Sequence, residues 1–220
     1  MTTTFVRARN VDQKRERRQS LLAGAKRAVE KKGVDEASLS DFSAEAEIAK
    51  SAFYKYFSSK EEILAYVLMG EFEAITRQLA KRSTKYKSVN DLASSISSVF
   101  AQRPLAGALL SEISRTLDQN TPFERLIEIK RQFASTQRDW TEIILNSGLG
   151  FDQFGAKQLV KSCYAYIAGL WPLTRERPEL LEASKQAGFT GTYGAFETEL
   201  KRFIVFQAAG ILSHSESNGN

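Results

Sequence analysis

The stretch from Ser38 to Leu64, SLSDFSAEAEIAKSAFYKYFSSKEEIL, limits the fold of this chain more than any other part of it. Its first apolar residues, Leu39, Phe42 and Ala46, recur three and four apart, which predicts a short helix with one buried face. Two residues interrupt the pattern, and the same periodicity restarts at Ala49. Two short helices separated by a tight turn are the arrangement with which many proteins place a helix in a groove of DNA.

The second of these helices, predicted from Ala49 to Phe57, has two different faces. At about 100° per residue, Phe53 and Phe57 fall beside Ala49 and form the buried face. The opposite face carries hydroxyl groups and a cation, on Ser51, Tyr54 and Lys55. Such groups on an exposed helix face fit the phosphates and base edges of DNA.

Capping signals mark where the helices begin. Ser38 directly precedes the first helix as an N-cap, and Asp41 follows three residues later as its capping partner. Ser59 and Glu62 form an S-x-x-E capping box that begins a third helix. Lys60 therefore lies in a first helical turn, where the helix N-terminus and its own charge both attract a phosphate.

At these residues the chain resembles the helix-turn-helix of the TetR family of transcriptional repressors. The resemblance is carried by Phe-Tyr-x-x-Phe at 53–57 and Ser-Lys-Glu at 59–61, where family members usually have Leu-Tyr-x-x-Phe and the same Ser-Lys-Glu run. It is gapless from Ser38 to Leu64. Two positions depart from the family: Glu47 replaces the usual glycine of the turn, and Ala49 replaces the usual serine cap. A side chain at a left-handed turn position costs roughly 1 kcal/mol, so we expect a less stable turn within the same fold.

Residues of the helix-turn-helix and of the helix start after it have predicted roles. Four are assigned to the groove: Lys50, Ser51, Ala52 and Lys55. Lys55 is the predicted reader of guanine, and Ala52 can touch a thymine methyl group. The resemblance implies that Tyr54 and Lys60 contact phosphates, while Tyr56 either does the same or packs inward. A structural role alone is predicted for the apolar residues Phe42, Ile48, Phe53 and Phe57.

The charge distribution agrees with a DNA-binding N-terminus. Residues 1–60 hold 13 basic and 8 acidic side chains, whereas the remainder holds 18 of each, so the chain's whole net charge of +5 lies in its first quarter. Polyanionic DNA attracts such a segment. Residues 1 to about 10 are predicted to be a disordered arm, in which Arg7 and Arg9 could follow a phosphate strand or enter a minor groove.

Beyond the helix-turn-helix, apolar periodicity predicts helix after helix and no strand. The predicted fold class is all-α, with about nine helices: an N-terminal three-helix DNA-binding domain at 1–59, including the arm, a helical effector-binding and dimerisation domain at 60–214, and a disordered tail at 215–220. A long helix from Lys60 leaves the first domain and enters the second. Pro172 is predicted to end or kink one later helix, and the stretch from Glu176 to Gly191 is predicted to be a looser connection.

Proteins of the TetR family dimerise through their last two long helices, which the resemblance puts at about 153–171 and 192–212. Seven apolar residues there are the predicted homodimer contacts: Leu159, Cys163, Ile167, Phe196, Leu200, Phe203 and Ile204. One recognition helix contacts few base pairs, whereas two on a symmetric dimer read successive major grooves. We therefore expect a palindromic operator on double-stranded DNA.

The resemblance also implies a small-molecule effector bound in the helical domain, and no cofactor is expected. The candidate pocket residues are Phe72, Phe100, Ile113, Phe133, Trp140, Tyr164 and Trp171. Their composition favours an effector with apolar or aromatic surface. The effector is expected to act by population shift, stabilising a dimer in which the helix from Lys60 holds the two reading heads at the wrong spacing.

The sequence leaves three other interpretations open. An enzyme would need clustered His, Cys or paired carboxylates, but the only histidine, His214, lies in the polar tail and the only cysteine, Cys163, lies in an apolar stripe. A redox-sensing regulator would use Cys163, although a buried thiol is usually inert. A helical ligand- or partner-binding dimer with weakened DNA binding would follow from Glu47 and Ala49. No apolar run could serve as a signal core or span a bilayer, so a cytoplasmic protein without a membrane partner is expected.

Overall fold

The computed structural model describes residues 3–82, 86–117 and 119–217, and over these ranges the chain forms ten α-helices and no strand. The all-α prediction is therefore confirmed. The helices are α1 (Thr3–Lys32), α2 (Leu39–Glu45), α3 (Lys50–Phe53), α4 (Lys60–Arg82), α5 (Val89–Ala101), α6 (Pro104–Thr116), α7 (Phe123–Leu145), α8 (Gln153–Leu173), α9 (Pro178–Gln186) and α10 (Phe196–Ser217). None of these helices is long and apolar enough to cross a membrane.

The chain divides into two compact units. The N-terminal unit comprises the chain up to Gly70 together with Arg115–Ile129, and the C-terminal unit comprises Glu71–Ser114 and the chain from Lys130 onward. Helices α4, α6 and α7 each contribute residues to both units. The predicted domain division at 59 and 60 stays a prediction, and the contact pattern adds the α6–α7 corner to the helix-turn-helix.

Helix α1 begins at Thr3, so the prediction of a disordered arm over residues 1 to about 10 is wrong for the backbone from Thr3 onward. The side chains of Arg7 and Arg9 lie outside the described residues. Residues 13–18 are all favourable helix formers, and α1 continues without a break to Lys32. The helix can therefore extend beyond its packed portion.

The core of the N-terminal unit forms where α1 crosses α2. Leu21 and Ala25 of α1 have no exposed surface, and neither has Phe42 of α2. Gly24 lies at the closest approach, because a Cβ atom there would stand 2.7 Å from the Phe42 carbonyl oxygen and 2.8 Å from the Ala46 nitrogen. Both clashes are with backbone, so the crossing distance depends on glycine at this position.

An aromatic cluster fills the C-terminal unit. Phe72 makes edge contacts with Phe133, Trp140 and Tyr164 at centroid distances of 6.0, 5.2 and 5.4 Å, and Phe100 meets Trp140 at 5.6 Å. The indole Nε1 of Trp140 donates a hydrogen bond of 2.6 Å to a threonine hydroxyl of α4. These contacts join α4, α5, α7 and α8 around one core.

The connection between α8 and α10 differs from the prediction. Helix α8 ends one residue after Pro172, as expected for a residue without a backbone N–H. The predicted looser stretch instead contains α9, which starts at Pro178, because proline is favoured in the first helical turn. No residue of α9 is buried. Helix α10 runs to Ser217, so the predicted tail at 215–220 is helical as far as the structure describes it.

Candidate functional site

The predicted capping box of α2 is present. The Asp41 backbone N–H donates to Ser38 Oγ at 3.3 Å, and the Ser38 backbone N–H donates to Asp41 Oδ2 at 2.9 Å. Lys32 Nζ lies 2.6 Å from the other carboxylate oxygen. The hydrogen bonds from Lys32 and Ser38 hold the pKa of Asp41 well below its usual range. The first helix of the motif is thus tied at its start to the end of α1.

The turn between α2 and α3 takes the left-handed conformation expected for a glycine. Glu47 has φ of +55°, and among the described residues it is the only residue other than glycine with a positive φ. The Ile48 N–H donates to the Ser43 carbonyl at 3.0 Å and closes the turn. Ala49 occupies the N-cap position of α3 and makes no side-chain capping bond. Both departures from the family therefore fall where they weaken the turn and the start of α3.

Helix α3 is a single turn, shorter than the predicted helix over 49–57. Hydrogen bonds from the N–H groups of Tyr56 and Phe57 to the Phe53 carbonyl, at 2.8 and 3.1 Å, continue the chain as a turn. Phe53 and Phe57 are 0% and 1% exposed, and their ring centroids lie 5.7 Å apart. The predicted buried face exists although the regular helix does not extend that far.

The face opposite these two rings is exposed. Lys50, Ser51 and Lys55 lie open to solvent, and Tyr54 is 60% exposed. Ala52 and Tyr56 are half-buried. Lys60, also half-buried, donates a hydrogen bond of 3.2 Å to the Asp35 carbonyl, so its ammonium group is held beside the α1–α2 loop. Contact of these seven residues with DNA stays a prediction.

The start of α4 contains a carboxylate whose surroundings the sequence did not indicate. Glu62 is 1% exposed, and its Oε2 accepts from the Ser58 N–H at 2.7 Å, while its own N–H donates to Ser59 Oγ at 3.0 Å. The predicted box therefore forms with the reciprocal bond shifted to Ser58. Oε1 lies 3.4 Å from the Nε of Arg125, at the start of α7.

Arg18 and Tyr66, which lie outside the motif, pack beside the start of α4. The guanidinium of Arg18 lies 4.2 Å from the ring centroid of Tyr66 and 5.0 Å from that of Phe57. Burial and the nearby carboxylate of Glu128 raise the pKa of Tyr66 to about 12. Arg18, Tyr66 and Arg125 are far apart in sequence and follow no periodic pattern, so no signal in the sequence identifies them.

Most of the residues predicted to contact a second protomer are buried inside the chain. Leu159, Ile167, Leu200 and Ile204 have no exposed surface, Cys163 and Phe196 are 5% and 6% exposed, and Phe203 stacks on Tyr166 at a centroid distance of 3.9 Å. A side chain without exposed area cannot contact a partner, so the assignment of Leu159, Ile167, Leu200 and Ile204 to a dimer interface is wrong. These four residues lie in the interior of the C-terminal unit instead. The assignment of Cys163, Phe196 and Phe203 stays a prediction.

Another face of the same two helices is apolar and exposed. Phe154 and Phe206 are 75% and 71% exposed and flank a groove of about 300 Å³. The groove floor includes Gly155, Gly210 and Ile211. Phe206 lies off the stripe formed by Phe196, Leu200 and Phe203, a deviation in phase that the sequence already contains. We call Phe154, Phe206 and the groove between them the α8–α10 face.

The predicted pocket residues fall into two places. Phe72, Phe100, Phe133, Trp140 and Tyr164 belong to the aromatic cluster, and Ile113 is 4% exposed in the core of the same unit. Trp171 instead packs on Phe196 at 5.1 Å and over Gly107, where a Cβ atom would stand 2.2 Å from the indole ring.

A cavity of about 20 Å³ lies beside Phe100, Trp140 and Cys163. It has room for roughly one water molecule. The Tyr164 hydroxyl is buried without a hydrogen-bond partner among the described residues, and burial raises its pKa. Burial likewise raises the pKa of Cys163 to about 12, so this thiol is protonated and enclosed.

Two family models match the chain. Residues 21–67 match the model described as bacterial regulatory proteins, tetR family, and residues 69–215 match the model described as tetracyclin repressor-like, C-terminal domain. No curated relative matches the chain by sequence.

Solved structures with the same fold are similarly diverged in sequence. A TetR transcriptional regulator from Rhodococcus sp. RHA1 aligns with a TM-score of 0.56 and 16% identity over 91% of this chain and 97% of its own. RolR in complex with resorcinol aligns with a TM-score of 0.56 and 16% identity, over 92% of this chain and 94% of its own. FadR from Bacillus subtilis in complex with stearoyl-CoA aligns with a TM-score of 0.51 and 14% identity, over 85% of this chain and 97% of its own.

Proposed function

The chain belongs to the tetR family of bacterial regulatory proteins and is a DNA-binding transcription regulator, not an enzyme, and from this premise we propose that it is a repressor. In this proposal a homodimer binds a palindromic operator and is released by a small, partly apolar effector. The observation that carries the proposal is the exposed polar face of α3 and of the turn that follows it. On this face Lys50, Ser51, Tyr54 and Lys55 lie opposite the buried Phe53 and Phe57.

Reading and phosphate contact are assigned to different lysines. Lys55 is exposed beyond the end of α3 and reads a base, whereas Lys60 lies at the start of α4, with a backbone carbonyl as its present partner, and contacts a phosphate. Lys55→Ala should relax preference at one base position. Lys60→Ala should weaken binding to every sequence and lower its dependence on salt.

The test is selection of bound duplexes from a random pool, followed by affinity measurements on selected and random DNA. The double change Lys50→Ala and Lys55→Ala should abolish sequence selection while leaving residual, salt-sensitive binding. Failure of the wild-type protein to enrich any sequence contradicts the proposal and favours the helical ligand- or partner-binding dimer. Equal effects of Lys55→Ala and Lys60→Ala on selected and random DNA contradict the division of roles.

The α8–α10 face supports the dimer. Two exposed aromatic side chains beside a groove on one helix pair form an apolar patch that a second copy of the chain can cover through a two-fold interface. Phe154→Glu should place charges in this interface and produce monomers with weakened operator binding. Phe123→Glu is the matched control, since Phe123 is 71% exposed at the start of α7. Sedimentation at micromolar concentration distinguishes the two, and a monomeric wild-type protein with full operator affinity contradicts the dimer.

The aromatic cluster supports the effector. Its rings offer apolar contact, and the unpartnered Tyr164 hydroxyl offers one hydrogen bond to a bound molecule. The ligands of RolR and FadR differ widely, so the fold alone does not fix the effector class. The cavity of about 20 Å³ beside these rings is far smaller than any such molecule. An effector bound within the aromatic cluster therefore binds an opened state and shifts the population toward it.

A fluorescence titration tests the effector site. Trp171→Phe leaves Trp140 as the single tryptophan, so a panel of small aromatic compounds can be screened by Trp140 fluorescence and operator release together. Compounds that release DNA should change Trp140 fluorescence, and Tyr164→Phe should weaken their binding. A compound that releases the protein from the operator without changing Trp140 fluorescence contradicts this site.

A further inference from the structure

The part of α1 that precedes its packed portion carries most of the net charge of the chain. Residues 3–20 hold six basic and two acidic side chains, a net charge of +4 out of +5. Among residues 12–20 of α1, the part before Leu21 whose side chains the structure describes, none is buried, and residues 12–17 are all exposed. At 1.5 Å per residue, the helical backbone from Thr3 to Arg17 is about 22 Å long.

Cations in the two halves of α1 have different surroundings. In the second half, Arg27 and Lys31 lie 3.2 and 2.6 Å from Glu45, and Lys32 lies 2.6 Å from Asp41. These charges are already neutralised by carboxylates of α2. In the first half, Lys14, Arg15 and Arg17 are exposed and have no ion pair with any described residue. We call these three residues the α1 basic face.

The spacing of charges argues against a face that serves solvation alone. Opposite charges four residues apart stabilise an exposed helix, and like charges at that spacing destabilise it by a few tenths of a kcal/mol, on the order of 0.2–0.5. Here Asp12 is followed by Glu16, and Lys14 by Arg18, so both pairs four residues apart are of like charge. Asp12 and Arg15, three residues apart, form one pair of opposite charge. At about 100° per residue, the two acids point roughly opposite to Lys14 and Arg18.

Arg18 shows which side of the helix the cations occupy. Its guanidinium lies over the rings of Tyr66 and Phe57, so this side of α1 faces the helix-turn-helix core. Lys14 lies one turn earlier on the same side, while Arg15 and Arg17 flank that line. The side of α1 that packs on the motif therefore becomes cationic where the helix extends beyond it.

We propose that the α1 basic face binds backbone phosphates of duplex DNA outside the bases read by α3, as a second binding surface on each protomer. This proposal rests on the proposed function, because it needs a DNA-bound protein. The guanidinium groups of Arg15 and Arg17 can each grip one phosphate through two parallel N–H groups, and Lys14 supplies a point charge. The surface adds affinity and extends the covered length without adding sequence preference.

The experiment compares two lengths of one duplex. A sequence selected from a random pool by the wild-type protein is prepared with a helical turn of flanking DNA at each end, and again cut to the selected bases. The triple variant Lys14→Gln, Arg15→Gln, Arg17→Gln keeps good helix formers. On the long duplex, its plot of log affinity against log salt should be shallower by roughly 3 per protomer, about 0.9 for each lost phosphate contact. On the cut duplex, variant and wild type should bind alike.

Two matched proteins complete the design. Lys81→Gln, Lys87→Gln, Arg138→Gln removes the same charge from exposed positions of the C-terminal unit and should keep the wild-type slope. Arg15→Lys, Arg17→Lys retains the charge and should keep most of the slope. An unchanged slope for the α1 variant on the long duplex overturns the proposal, and so does an equal loss on the cut duplex. Failure of the wild type to select DNA overturns the proposed function itself.

Discussion

Glu62→Gln tests how the helix that follows the recognition turn is anchored. The carboxylate is 1% exposed and accepts hydrogen bonds from both the backbone N–H and the hydroxyl of Ser58. Glutamine has nearly the same shape, but it carries no charge and offers one acceptor oxygen and an NH₂ group. If that oxygen stays on Ser58, the NH₂ group faces the guanidinium of Arg125, which lies 3.4 Å from Oε1 in the native protein.

Three contributions set the expected loss. Hydrogen bonds to a charged acceptor stabilise by about 1.5–3 kcal/mol, of which glutamine keeps a neutral bond of about 1 kcal/mol. The negative charge near the helix N-terminus contributes about 0.3–1 kcal/mol. Arg125 is half exposed and can be hydrated, so its ion pair contributes at most about 1 kcal/mol. We expect Glu62→Gln to lower the free energy of unfolding of the N-terminal unit by about 2 kcal/mol.

Glu61→Gln is the control for helix charge, because Glu61 occupies the same first turn and has only the dipole contribution, below about 1 kcal/mol. Urea unfolding is followed by far-ultraviolet circular dichroism, which reports both units, and by fluorescence of Trp140 and Trp171, which lie in the C-terminal unit. Glu62→Gln should shift the dichroism transition more than the fluorescence transition. Equal losses for Glu61→Gln and Glu62→Gln would refute the reasoning.

Four further predictions concern single positions. Glu47→Gly should stabilise the protein by about 0.5–1 kcal/mol in urea unfolding, because glycine relieves the positive φ, whereas Glu47→Ala should not. Gly24→Val should destabilise by more than 2 kcal/mol (roughly, for backbone clashes), measured by thermal unfolding against Ala23→Val at the exposed neighbour. The pKa of Asp41 is lowered in the folded state, so the ionised carboxylate stabilises the fold above the unfolded pKa of about 3.9, and this stabilisation is lost as the pH falls below that value. Asp41→Asn should therefore reduce the dependence of the free energy of unfolding on pH in the acid range, measured by urea unfolding at several pH values. Cys163 should resist thiol reagents until the protein unfolds, and mild oxidation should leave operator binding unchanged.

Local signals predicted the helix-turn-helix well because each depends on residues a few positions apart. The α2 capping box and the buried Phe53–Phe57 pair follow from spacing within one turn of helix. The left-handed turn at Glu47 followed instead from the resemblance to the TetR family, whose members usually have glycine there. The length of α3 did not follow. Periodicity reports which side chains share a face, and a turn stabilised by the Phe53 carbonyl keeps that face without remaining a helix.

Long-range partners were not predictable in the same way. Arg125 lies beside Glu62 because the α6–α7 corner joins the N-terminal unit, and no pattern in one sequence encodes that meeting. The dimer residues failed for a related reason. Apolar periodicity identifies buried faces, but it cannot distinguish burial within one chain from burial between two, and Leu159 and Ile204 proved to be interior.

The single turn of α3 has a consequence for how this regulator finds its target in a genome. One helical turn and the short turn after it can present only a few side chains to base edges, so each half-site specifies few base pairs and matches by chance at many places. In the proposed dimer, most of the specificity for the operator must then come from the distance between its two half-sites. Inserting one base pair at the centre of the operator rotates one half-site away from its reader, and it should harm recognition more than replacing a base within a half-site.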